Sequence, residues 1–138
     1  MPDLRKGLKR LLALAILSLT LVSCTPSTQT QKLAFNNTAI YFTEQVSITE
    51  VQQLGKYLIQ SEFANGSVKR VQLSKNEKTG TYIIKEVADI KRLHSETYRV
   101  KAKITAKQCS ELIFNKAPVD FHYCNGNFKT LREIPFKS

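Results

Sequence analysis

The sequence predicts an α+β fold in which an antiparallel sheet carries two helices on one face. Three observations predict it. Short β-branched and aromatic runs are bounded by turn signals, two longer segments repeat apolar residues every three or four positions, and the two kinds of segment alternate along the chain. Leu33-Ala34-Phe35 and Ala39 to Thr43 read as strands around the turn Asn36-Asn37. Ser47 and Glu50 form a capping box; Ile48, Val51, Leu54 and Leu58 then mark one face of a helix that ends near Phe63. Val71 and Leu73, the turn segment 76–80 and the run Thr81 to Val87 make a hairpin. A second helix spans Ser95 to Asn115, with Tyr98, Ala102, Ala106, Cys109 and Ile113 on its apolar stripe. Pro118 ends it. Val119 to Cys124 and Phe128 to Ile134 are strands, and Asn125-Gly126 between them predicts a two-residue type I′ turn.

This order, β-α-β-β-α-β with extra terminal strands, resembles the ferredoxin-like two-layer sandwich. The stretch from residue 33 to 138 is of a length for a single modest core and reads as one small domain.

The first residues have a different character. Arg5, Lys6, Lys9 and Arg10 precede the apolar run Leu11 to Val22, and small or polar residues follow. The run is about 18 Å long as a helix, too short for a hydrocarbon core of about 30 Å, and it fits a signal peptide over residues 1–23. Leu21-Val22-Ser23-Cys24 resembles the lipobox of bacterial lipoproteins. That resemblance implies a diacylglycerol thioether on Cys24, cleavage before it, and anchoring by several acyl chains, each buried methylene adding about 0.8 kcal/mol. It also implies an outer membrane location facing the periplasm where the source has one, because Thr25 is not the inner-membrane retention signal Asp. Residues 24–32 read as a flexible tether.

The formal charge of +10 falls to +7 once residues 1–23, with four cations and one anion, are removed. In an exported protein this basic balance points away from nucleic acid. It reads as a solvated surface or as a match for an anionic envelope surface. The stretches Leu54-Gly55-x-Tyr57-Leu58, Val71-Gln72-Leu73 and Ala117-Pro118-Val119-x-Phe121-His122-x-Cys124, with Phe128-Lys129-Thr130-Leu131-Arg132, resemble a small uncharacterised bacterial envelope domain that brings no activity with it.

Three groups of residues carry candidate chemistry. Cys109 and Cys124 invite a disulfide in an oxidising envelope, but their positions on an antiparallel helix and strand offset them by about 10 Å. Alternation places Asp120, His122 and Cys124 on the sheet face away from the helices, where His122 and Cys124 could serve as a reactive thiol pair or metal ligands. Three residues of one strand cannot converge on one ion, so no metal site or cofactor is assigned. Arg99, Lys103 and Lys107 form a basic stripe on the second helix, and Val100 and Ile104 lie opposite its core stripe; together they make a candidate partner surface. Signatures of phosphate loops, zinc proteases, serine hydrolases and CxxC redox sites are missing from the sequence. The expected function is that of a membrane-anchored binding or accessory module, meeting an envelope protein or an anionic surface. The alternative is a small thiol- or metal-dependent catalyst using Cys124 and His122.

Overall fold

In the computed structural model, residues 30–137 are described. The signal segment and Cys24 lie outside them, as does most of the segment 24–32. Six strands form one sheet: β1 (Gln31–Phe35), β2 (Thr38–Phe42), β3 (Lys69–Asn76), β4 (Thr81–Val87), β5 (Val119–Cys124) and β6 (Thr130–Ile134). Helix α1 (Ile48–Gln60) joins β2 to β3, and α2 (Glu96–Leu112) joins β4 to β5 after a short 3₁₀ turn at Ile90–Arg92. Gln31 and Lys32 belong to β1, so the folded domain starts two residues earlier than the sequence suggested.

The strands lie side by side in chain order. Hairpin pairs are antiparallel, but the helix-linked pairs β2/β3 and β4/β5 are parallel. The expected antiparallel sheet is thereby corrected to a mixed one, and the sequential order is not the ferredoxin-like one. The physical reason is that each helix returns the chain to the neighbouring position, not across an intervening strand. Alternation along a strand cannot reveal this, since it reports which face a residue takes and not which strand lies beside it.

Both helices cover the same face. α1 packs over β1 and β2, α2 over β5 and β6, and Tyr57 Oη on α1 donates to Gln108 Oε1 on α2 at 2.5 Å. The two crossovers step across the sheet in the same sense, yet their strands point in opposite directions. With helices on one face, they must be of opposite hand, so one departs from the right-handed rule.

Local chemistry explains each element. Ser47 Oγ accepts from Glu50 N and Glu50 Oε1 accepts from Ser47 N at 3.0 Å, completing the capping box. Glu50 Oε2 also accepts a hydrogen bond from Tyr82 on β4, which stacks on Phe114 with ring centroids 4.0 Å apart. Tyr123 stacks on Tyr98 at 4.6 Å, and its hydroxyl donates to Tyr98 O at 2.8 Å. Arg132 donates to Leu93 O and Ser95 O just before α2. Ala102, Ala106 and Cys109 of the apolar stripe are buried, and Tyr98 and Ile113 pack against the core.

The two hairpin turns take different forms. Asn36 and Asn37 have φ of 49° and 66° and join Phe35 to Thr38 as a two-residue loop of the primed kind. At Asn125 the loop has three residues: Phe128 N donates to Asn125 O, Asn125 N donates to Lys129 O, and Phe128 takes the left-handed conformation with φ 60°. That is the type I turn plus bulge form of hairpin, not the predicted type I′ turn.

Gly55 on α1 lets Phe35 of β1 close onto the helix, because a Cβ there would lie 2.4 Å from the ring. Gly55→Ala gains about 1 kcal/mol of helix propensity but meets an overpacking cost of about 1–3 kcal/mol. The expected result in urea unfolding is a net loss near 1 kcal/mol, partly recovered by adding Phe35→Leu.

Candidate functional site

On the open face of the sheet, Asp120, His122 and Cys124 share one side of β5, each with a different neighbour. Asp120 Oδ1 accepts from Phe136 N at 2.9 Å. His122 Nδ1 lies 2.9 Å from Thr130 Oγ1, and its buried Nε2 has no hydrogen bond, with Glu133 Oε1 3.8 Å away. Burial lowers the His122 pKa, outweighing Glu133 and Asp120. Cys124 is fully buried, and burial raises its thiol pKa. The turn 125–129 folds back over this face: Lys85 Nζ donates to Phe128 O at 3.1 Å, and Arg70 donates to Gly126 O at 2.6 Å. The Arg70 guanidinium also lies over the rings of Tyr41 and Phe128, 5.3 and 4.9 Å from their centroids. A buried thiol with a raised pKa, two residues along the strand from an imidazole with a lowered one, is poorly placed for nucleophilic chemistry. Among the described residues no cluster of three or more His, Cys, Asp or Glu could hold a metal ion.

Cys109 and Cys124 are free and buried. They lie on opposite faces of the sheet, a stronger separation than the axial offset considered from sequence. Burial pushes the Cys109 thiol up to about 12.

The outer surface of α2 is different. Val100 and Ile104 are 43 and 52 % exposed, and with Glu96, Thr97 and Lys101 they line a shallow surface. Arg99 is held by Glu96 through Nε at 2.9–3.0 Å from both carboxylate oxygens. Lys103 and Lys107 turn toward β6, where they border a groove floored by Ala106, Ile134 and Phe136. The candidate surface is therefore a band on α2: apolar residues on its crest and lysines on the flank that overlooks β6.

A second groove, of about 200 Å³, separates the helices above β3 and β4. Val71, Ile84 and Phe121 form its floor, Tyr57 and Gln108 bridge its walls, and Glu86 and Lys101 stand at its edge. Burial pushes the Glu86 carboxyl up to about 7, against the pull of Lys101 and Lys69. Sequence reasoning missed this groove. The available signal was parity: Glu86 follows Tyr82 and Ile84 at steps of two, which places a carboxylate on the helix-facing side.

No family model matches the chain, and neither do the curated proteins or the solved structures compared with it.

Two outcomes follow from these environments. Cys109 and Cys124 should react with a disulfide reagent at neutral pH only as fast as the domain opens, and at once in denaturant; rapid labelling of native Cys124 would contradict its burial. Glu86 has a folded pKa near 7 against a reference of 4.5, so the folded state holds an extra proton between those values. Its contribution is full below about pH 4.5 and is lost as pH rises through 7. The loss is on the order of 1–2 kcal/mol after discounting for partial exposure. His122, with a lowered pKa, gives a slope of opposite sign, so the comparison is between wild type and Glu86→Gln across pH 4.5–8. The variant should lose the fall in denaturation midpoint that Glu86 causes.

Proposed function

We propose that the protein is a lipid-anchored envelope lipoprotein whose domain works by docking, with acyl chains on Cys24 holding it at a membrane and the outer face of α2 meeting an anionic or protein surface. The observation that carries the reading is Leu21-Val22-Ser23-Cys24 at the end of a basic, then apolar, leader, only seven positions before the first strand. The domain supports it in two ways. Cys109 and Cys124 are buried and His122 is half-buried, and Val100 and Ile104 are left exposed beside cationic side chains. No helix among the described residues is long and apolar enough to cross a membrane. A periplasm-facing outer membrane location belongs to the same proposal and rests on Thr25. The thiol or metal catalyst is the weaker reading, because Cys124 is enclosed and His122 and Asp120 point to separate partners.

Cys24→Ala should abolish membrane retention and stop the mobility shift that processing produces. Fractionation of expressing cells checks this. A variant that matures normally and stays in the detergent phase would refute the lipid anchor.

A further inference from the structure

We infer that the groove between α2 and β6 seats the headgroup of an anionic lipid in the bilayer that holds Cys24; this rests on the lipid-anchor reading and names the partner of the α2 face. The first ground is reach. Seven peptide steps separate Cys24 from Gln31, and at most about 3.6 Å per step bounds the start of β1 to about 25 Å from the anchored residue. The second is orientation. Gln31 pairs with Phe42, and the register continues across the sheet from Phe42 through Leu73, Ile84 and Phe121 to Ile134. The start of β1, the end of β6 and the C-terminus of α2 therefore lie at one end of the domain. The groove opens at this end, where Lys116, Pro135 and Phe136 line it.

The third ground is chemistry. The groove has a volume of about 450 Å³, an apolar floor of Ala106, Ile134 and Phe136, and Lys103, Lys107 and Lys116 around it, against Glu111 alone. Lysine stems can lie along an apolar surface with their ammonium groups at its edge, an arrangement suited to a phosphodiester with acyl stems attached. Leu112, 70 % exposed, and Ile48 stand at the same end, able to enter the headgroup layer. Between residues 89 and 116, the segment that carries α2, the sequence has seven Lys or Arg against three Asp or Glu, so more than half of the +7 surplus falls there. A soluble acidic protein would match the charge but would not need the apolar floor or the nearness to the anchor.

The test uses the lipidated full-length protein in vesicles of phosphatidylcholine, alone or mixed three to one with phosphatidylglycerol, each carrying a headgroup quencher. A fluorophore is placed at Leu112→Cys or, at the opposite end, at Val68→Cys, which is 85 % exposed; the buried Cys109 and Cys124 stay unlabelled. In anionic vesicles quenching at position 112 should exceed that at 68 by at least about twofold, and raised salt should reduce the difference while the protein still floats with the vesicles. Lys107→Glu with Lys116→Glu should remove the difference. Flotation with equal quenching at both positions, or quenching indifferent to phosphatidylglycerol, overturns the lipid site alone. Failure to float at all overturns the anchor reading, and this inference with it.

Discussion

Two helices must cover a sheet six strands wide. At about 4.8 Å per strand spacing the sheet is roughly 24 Å across, and each helix with its side chains is about 10–12 Å thick. Coverage by two helices is barely sufficient, and where the gaps fall decides the character of the surface. α1 takes the β1–β2 side and α2 the β5–β6 side, so the central strands are covered by side chains reaching inward. Tyr57 and Gln108 bridge that gap, and Glu86 sits at its edge. At the outer margin the chain after β6 continues beside α2 and leaves the groove bounded by Lys107, Lys116 and Phe136.

The same constraint explains why tyrosines recur at the seams. A tyrosine on the inner sheet face fills space as an aromatic ring and carries a hydroxyl that can reach a helix terminus. Tyr82 does this at one end, bonding Glu50 in the first turn of α1 and stacking on Phe114 beyond the last turn of α2. Tyr123 does it at the other end through Tyr98. Tyr82 has its pKa raised to about 12, first by burial and then by its carboxylate partner, which keeps the proton on the phenol and the hydrogen bond intact at ordinary pH. These struts hold both helices to one face and so support the pair of crossovers of opposite hand.

Element identity was legible in the sequence, and neighbour relations were not. The capping box at Ser47, the stripe through Cys109 and the alternation Val119, Phe121, Tyr123 are local patterns, and each structural element matches them. Strand order depends on where a helix returns the chain, and no local pattern encodes that. Turn type failed for a related reason. Asn125-Gly126 carries the right residues for a type I′ turn, but Arg70 and Lys85 hold the carbonyls of Gly126 and Phe128, and Tyr41 packs on the Phe128 ring. Those tertiary contacts oppose the usual penalty on a bulky residue at positive φ. At the candidate sites the lysines of α2 and the exposure of Val100 and Ile104 followed from helical geometry. The groove they border did not, because its other wall is β6 and the segment after it.

The treatment of the polar residues separates the two functional readings. A catalytic thiol and imidazole gain from access, from mutual contact and from a pKa close to the working pH. Here His122 faces Thr130, Asp120 fixes the backbone at Phe136, and Cys124 is roofed by a turn held down by Arg70 and Lys85. Each of these contacts ties a neighbouring segment to the sheet, which is a stabilising use of a polar group. The outer side of α2 is of the other sort: Lys101 and Lys107 are exposed there, beside exposed Val100 and Ile104. Such groups are what an extended anionic and apolar surface can meet. If the chain is anchored at Cys24 as proposed, the segment of at most about 25 Å before β1 would present that surface to the domain continuously, so that even weak contacts would act at high effective concentration. Modest affinity at the α2 face would then suffice to orient the domain, with the acyl chains supplying its retention.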